Sequence, residues 1–206
     1  MKLLVATRSA HKVAEIRNIL AGVPDLELLD LDTAGIAPEP AEDALEPFDS
    51  FEANARSKAA YFRRRSGMAT VADDSGIEVD ALGGQPGVRS RRFAPLPGDA
   101  GRDEQDRANN AHLIERLTGT EPARRTGRYV CVAALADEDG REFLFRGIAE
   151  GRVVEEVRGS GGFGYDPLFV ATDLGRTFAE AAPREKDAVS HRGKAFRALA
   201  SYLLSR

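Results

Sequence analysis

Two acidic residues side by side inside an apolar run restrict what this chain can fold into. Val71-Ala72-Asp73-Asp74-Ser75-Gly76 reads as a buried strand that runs out into a serine-glycine turn. Successive strand side chains point to opposite faces, so Asp73 and Asp74 are expected to do different jobs. One is a candidate metal or water ligand and the other a brace. An ordinary strand-ending turn is the competing reading, because Asp, Ser and Gly are the residues turns favour.

The rest of the chain sets the scale. At 206 residues it suits one domain, or one domain with two lobes, and buries about 70% of its unfolded surface. A formal charge of -4 argues against a general nucleic-acid binder, which needs a basic face, while small anionic ligands stay allowed. The apolar runs are too short to cross a bilayer. The opening Met1-Lys2-Leu3-Leu4-Val5-Ala6-Thr7 goes straight into a strand-like run too short for a signal peptide, so a cytoplasmic location is expected. The single cysteine, Cys131, lies in an apolar run and reads as a buried, inert thiol.

In chain order, 2–6 reads as a strand, and Val13, Ile16, Ile19 and Leu20 repeat at helical spacing after it. Between them, Thr7-Arg8-Ser9-Ala10-His11-Lys12 forms a hydroxyl-rich entry to a helix, either an anion site at the positive end of the dipole or a plain Ser N-cap with solvated basic residues. A second strand is expected at 26–29. The segment 32–47, rich in Pro and acid, is expected to be a functional loop with Glu39, Glu42, Asp43 and Glu46 as candidate ligands. Phe48, Phe51, Ala55, Ala59 and Phe62 share one helical stripe that ends at Arg63-Arg64-Arg65 and Gly67. Asn54 and Lys58, one turn apart beside that stripe, can reach a shared polar site.

Further on, 103–117 reads as a helix with Ala111, Ile114 and Leu117 inward and charges outward. His112 on its surface is assigned no chemistry. Two strands at 128–136 and 141–148 flank an Asp-Gly hairpin turn, a pair whose region (124–156) is a candidate part of the second lobe. Gly159-Ser160-Gly161-Gly162-Phe163-Gly164-Tyr165-Asp166-Pro167 lets backbone approach a ligand, and Phe163 and Tyr165 offer flat faces on which a base can stack. Ser190 is a candidate N-cap that leaves His191 and Arg192 in an exposed first turn, where cations oppose the helix dipole, so an acceptor-rich partner is expected nearby.

Phosphate grip, metal carboxylates, base platform and base reader together describe a nucleotide site. Neither a Walker A sequence nor an opening G-x-G-x-x-G is present. The ordered set Thr7 to Lys12, Phe51 to Ala59, Ala72 to Gly76, Pro86 to Phe93, Gly159 to Phe169 and Ser190 to Ala195 resembles the inosine triphosphate pyrophosphatase (Ham1-like) family across nearly the whole chain. The resemblance implies hydrolysis of dITP, ITP or XTP to the monophosphate and pyrophosphate with Mg2+. It further implies a mixed α/β (α+β) fold, an elongated central mixed sheet with flanking helices, a single domain over 1–206 with two lobes around a nucleotide cleft, and a homodimer. By the same resemblance Asp74 is the general base and a metal ligand, with Glu46 as the second metal carboxylate ahead of Glu39 and Glu42. Thr7, Arg8, Ser9, Ala10, His11 and Lys12 hold phosphates, and Ser75 touches substrate. Phe163, Gly164, Tyr165, Asp166, Lys186, His191 and Arg192 hold and read the base, Arg192 because its donors suit the O6 acceptor of hypoxanthine or xanthine. Ser9 departs from the family Asn, which weakens phosphate positioning there. A Maf-like pyrophosphatase is the enzyme alternative, although its S-x-S-P-R-R opening loop is absent. A nucleotide sensor without turnover is the non-enzyme alternative.

Overall fold

A computed structural model describes residues 1–96 and 101–205. The chain alternates strands and helices as far as β4 and then runs through two further strands and two helices: β1 (Lys2–Val5), α1 (Ala10–Leu20), β2 (Glu27–Asp30), α2 (Phe51–Ser66), β3 (Thr70–Val79), α3 (Arg102–Arg116), β4 (Thr126–Ala136), β5 (Glu142–Val153), β6 (Phe169–Ala171), α4 (Pro183–Val189) and α5 (His191–Leu204). The strands form one mixed sheet in the order β2-β1-β3-β4-β5-β6, flanked by helices, as the α/β expectation has it. β1 runs parallel to both β2 and β3, with Leu4 opposite Thr70 and Val5 opposite Val71. β6 is antiparallel to β5.

The chain divides into two compact units. Unit 1 comprises 1–74, 131–147 and 192–206, and unit 2 comprises 75–130 and 148–191. β3, β4 and β5 each contribute residues to both. The hairpin expected to sit in one lobe is therefore divided, its 131–147 portion in unit 1 and its flanks in unit 2.

Unit 1 is built on a core of Leu3, Val5, Ile16, Leu20, Val71, Cys131, Ala133, Leu135, Phe196 and Leu199, all buried. Burying each of the larger side chains stabilises the unit by about 1.5–3 kcal/mol. α2 shows how local sequence sets an element. The Ser50 hydroxyl accepts from Ala53 N at 3.2 Å, Arg63, Arg64 and Arg65 occupy the last turn, and Gly67 closes it at φ 69°. The helix therefore starts at Phe51, and Phe48, which the stripe included, lies before the cap and is exposed.

Unit 2 has its own core of Ile77, Val79, Leu113, Leu117, Tyr129, Leu168, Phe169 and Phe178. Here α3 departs from expectation. Leu113 and Leu117 point inward, but so do Asn109 and Asn110, while Ala111 is exposed. Polar residues face inward because they hold neighbouring backbone, as described below.

β3 corrects the turn reading. The strand does not end at Asp74-Ser75-Gly76 but runs on to Val79. Glycine is needed for clearance at that point: a Cβ on Gly76 would lie 2.3 Å from the Gly87 carbonyl oxygen and 2.4 Å from Ser90 Oγ. That hydroxyl also accepts from Ile77 N at 2.9 Å, so the strand passes close under the 87–90 segment.

Candidate active site

Alternation along β3 places Asp73 and Asp74 in two different environments within unit 1. Asp73 is buried, and its Oδ2 collects the Lys12 ammonium at 2.9 Å, Arg192 Nη2 at 3.1 Å and Nε at 3.4 Å, and the Cys131 thiol at 3.8 Å. Among the described residues its Oδ1 has no hydrogen-bond partner. Burial alone would raise this carboxyl, but Lys12 and Arg192 outweigh it and hold Asp73 well below the usual carboxylate range. Lys12 is itself shifted down by burial, which Asp73 opposes. The Cys131 thiol is pushed up by burial, in keeping with an inert residue.

Asp74 meets α2 instead. Asn54 Nδ2 donates to its Oδ2 at 3.0 Å and to the Phe48 carbonyl at 3.1 Å, while Asn54 Oδ1 accepts from Phe48 N at 3.0 Å. Asn54 thus ties the end of the acidic loop to the aspartate. Lys58 forms an ion pair with Glu46, lies 3.9 Å from Asp74 Oδ1, and donates to the Asp73 carbonyl at 2.6 Å. Desolvation raises the Asp74 carboxyl above the ordinary value against the pull of Lys58. Lys58 is raised, because Asp74 and Glu46 outweigh its own burial.

The acidic loop sorts its carboxylates. Glu39 is engaged by Arg65 at 2.8 Å and Tyr61 at 3.0 Å, and Glu42 by the Nε and Nη2 donors of Arg8 at 3.0 and 2.8 Å. Glu46, paired with Lys58, is the acid of that loop brought beside Asp74. Among the described residues no group of three or more His, Cys, Asp and Glu forms a metal cluster. Asp74 and Glu46 nonetheless suit a hard cation that takes one or two carboxylates and keeps its waters, and Lys58 already bridges the two with positive charge.

The expected phosphate segment sits at the start of α1. Ser9 is the N-cap: its hydroxyl accepts from Lys12 N at 3.3 Å and its own N–H donates to Thr7 Oγ1 at 3.2 Å. The N-cap of the second reading is present, but its solvated basic residues are not, because Lys12 pairs with Asp73. Thr7 is half-buried, and Ala10 and His11 are exposed. Arg8 turns to the acidic loop, adding a bond to the Ile36 carbonyl at 2.9 Å.

The glycine-aromatic segment lies in unit 2. Asp166 Oδ2 accepts from Lys186 Nζ at 2.6 Å and Phe163 N at 2.9 Å. A Cβ on Gly162, at φ 71°, would sit 2.1 Å from that oxygen. Phe163 is half-buried, with Lys186 Nζ 4.8 Å and Arg102 Cζ 5.6 Å from its ring centroid. Tyr165 is not an open platform: it is buried in the core and donates to the Ser90 carbonyl at 2.8 Å. Ser75 is half-buried on β3.

His191 and Arg192 correct the exposed-turn expectation, because both are buried. His191 stacks on Tyr129 with ring centroids 4.5 Å apart and planes within 9°. Arg192, in unit 1, meets Asp73 and, through Nη1, Glu15 at 2.6 Å. These carboxylates are the acceptor-rich partner that the misplaced cation required.

Asn54 and Lys58 were placed near a polar site without a role, and their signal was i, i+4 polar spacing on a buried helix face. Glu15, three residues after Lys12, and the adjacent Asn109 and Asn110, poor helix formers in mid-helix, were signals left unread.

The chain is matched over residues 3–202 by the model of the Ham1 family. It is 46% identical over 205 residues to the dITP/XTP pyrophosphatase of Exiguobacterium sibiricum, covering 98% of this chain and 97% of that one. It is 47% identical over 200 residues to the dITP/XTP pyrophosphatase of Mycolicibacterium paratuberculosis, with 96% and 93% covered. The fold is similar to the structure of a HAM1 protein from Coxiella burnetii, at a TM-score of 0.84 and 30% identity over the full length of both chains.

Proposed function

The chain belongs to the Ham1 family, and from that premise we propose that it hydrolyses non-canonical purine nucleoside triphosphates, dITP, ITP and XTP, to the monophosphate and pyrophosphate. The observation that carries the reading is the pair of adjacent aspartates on β3, one locked ionised by Lys12 and Arg192, the other raised by burial and held by Asn54 and Lys58. Cleaving an anhydride of a polyanion needs positive charge against the phosphates and a base for the attacking water. Asp74 is that base. Its raised carboxyl is a stronger proton acceptor than an ordinary aspartate, and the Asn54 bond to Oδ2 leaves Oδ1 as the oxygen turned toward Lys58.

Lys12, Lys58 and the Thr7–Ser9 turn hold the triphosphate, and Ser75 touches it. Asp73, itself fixed by Arg192, holds Lys12 in place. A divalent cation, Mg2+, would be held by Asp74 and Glu46 and would neutralise phosphate charge. In unit 2 the base lies on the segment of Phe163, Gly164 and Asp166 with Lys186 and His191, and Tyr165 supports that segment from the core. The protein works in the cytoplasm as a homodimer of single two-lobed domains. Among the described residues no helix is long and apolar enough to cross a membrane.

The test is a panel of nucleoside triphosphates incubated with Mg2+, with products separated by chromatography. Pyrophosphate and the monophosphate are expected from dITP, ITP or XTP. Orthophosphate as product, or no turnover on any inosine or xanthosine nucleotide, overturns the reading.

A further inference from the structure

The middle of α3 is spent on two loops rather than on the core. Asn109 Nδ2 donates to the carbonyls of Ser90 at 3.3 Å and Arg91 at 3.0 Å, and its Oδ1 accepts from Ala94 N at 2.8 Å. One residue on, Asn110 Nδ2 donates to the Gly164 carbonyl at 2.9 Å, and Asp106 Oδ2 accepts from Gly164 N at 2.9 Å. Both polar groups of one glycine peptide position are therefore gripped by side chains one helical turn apart. Gly164 has a φ of 63°, so its backbone leaves the segment in a conformation that side-chain-bearing residues rarely adopt.

The amide of Asn110 carries a further mark. Its Nδ2 donates to the Asp106 and Gly164 carbonyls, both at 2.9 Å, which fixes the orientation because a flipped amide would set oxygen against two carbonyls. Its Oδ1 is buried and, among the described residues, has no hydrogen-bond partner. A fold that leaves a buried acceptor unpaired is giving up stability to keep the donor where it is. The neighbouring residues of the segment are pinned in other ways: Asp166 accepts from Phe163 N within the segment and from Lys186 of α4, and the Tyr165 hydroxyl donates to the Ser90 carbonyl. Gly164 is the point where α3 takes hold.

We propose that Asp106 and Asn110 are positioning residues for base recognition: by clamping Gly164 they fix the Phe163–Asp166 segment at the height and tilt that accept a hypoxanthine or xanthine base. This rests on the proposed pyrophosphatase reading and adds to it residues that touch no substrate. The clamp acts on the base end alone, so its loss should weaken binding of the nucleotide and leave the phosphate chemistry intact.

The experiment compares Asp106→Ala, Asn110→Ala and Asp106→Asn with wild type and with Arg107→Ala, an exposed α3 control. KM and kcat are measured on ITP, and inhibition constants for inorganic tripolyphosphate, which has no base. The two alanine variants should raise KM on ITP about three- to tenfold, as expected for losing one hydrogen bond to a buried group, with kcat within about twofold and tripolyphosphate inhibition unchanged. Asp106→Asn keeps an acceptor for Gly164 N and should recover most of the KM. If the alanine variants do not fold, Asp106→Ser and Asn110→Ser carry the same expectation. An unchanged KM, a parallel loss of tripolyphosphate binding, or an Asp106→Asn variant no better than Asp106→Ala overturns the proposal. Failure of the pyrophosphatase reading would show in wild type as absent ITP turnover, whereas failure of the clamp shows in the variant-to-wild-type ratio. Were wild type inactive, the same ratios would be read from calorimetric binding of inosine monophosphate against tripolyphosphate.

Discussion

Replacing Asp73 by Asn tests whether this buried carboxylate is an electrostatic hub. The substitution keeps size and one acceptor but removes the charge that faces Lys12 at 2.9 Å and Arg192 at 3.1 Å. Removing one member of a buried ion pair costs about 3–5 kcal/mol, because the partner charge stays desolvated. Two features reduce that figure. Arg192 keeps Glu15 at 2.6 Å, and Lys12, already shifted down by burial, can shed its proton. We therefore expect a loss of about 2–4 kcal/mol at pH 7, or about 5–15 °C in Tm for a chain of this length, measured by calorimetry and urea unfolding. The pH dependence has a definite sign. Asp73 is held below its unfolded value, so its contribution is complete above about pH 4 and is lost as the pH falls further. The gap between wild type and variant should stay level from pH 8 to 5 and narrow in stronger acid. A loss under about 1 kcal/mol at pH 7, or a gap that widens on acidification, refutes the hub.

Three other substitutions probe separate parts of the site. Asp74→Asn should lower turnover by at least about a thousandfold, if a general base is lost, while Tm stays the same or rises. Its carboxyl is raised in the folded state, so the charged form weakens the fold at neutral pH and removing the charge relieves it; a clear fall in Tm would count against this. Gly76→Ala should cost about 2 kcal/mol or more, read from the urea midpoint, because its Cβ would enter the Gly87 carbonyl and the Ser90 hydroxyl. Arg8→Ala removes a two-point contact with Glu42 and a bond to the Ile36 carbonyl. Being partly exposed, the pair should contribute only about 1 kcal/mol, yet limited proteolysis within 36–47 should accelerate several-fold, and an unchanged cleavage pattern would show that Arg8 does not fasten the loop.

How much of this was legible depended on whether the determining contact was local. The α2 stop at Gly67, the Ser9 cap and the hairpin turn at Gly140 follow from residues a few positions apart, and each was readable. The acidic loop offered several equivalent carboxylates, and choosing among them needed Arg8, Arg65 and Lys58, which lie 12 to 34 positions away. Reading Gly76 as a turn failed for the same reason. Glycine marks either a bend or a close approach, and the segment that approaches it comes 11 to 14 residues later. The inward asparagines of α3 defeated a periodicity argument that counts only apolar residues, since their partners are backbone groups of other loops.

The adjacent aspartates show why a single strand can supply two chemically different acids. Identical side chains at consecutive positions differ here only in which helix each face meets. One face meets α1 and α5, whose Lys12 and Arg192 outweigh desolvation and keep Asp73 ionised. The other meets α2, whose Asn54 and Lys58 leave desolvation ahead and keep Asp74 raised. Pushing the two carboxyls apart in this way separates a permanent anion from a proton acceptor. It also explains the placement of Lys58, which donates to the Asp73 carbonyl while facing Asp74 and Glu46. Its ammonium reaches both carboxylates from a fixed backbone anchor, so the charge balance around Asp74 is set by the same peptide that carries Asp73. A site built this way should tolerate exchange of the two acids poorly: Asp73→Asn should act mainly through stability and Lys12, and Asp74→Asn through turnover. A double variant whose stability change and whose change in log turnover each equalled the sum of those of the two single variants would show that the two faces of β3 act independently.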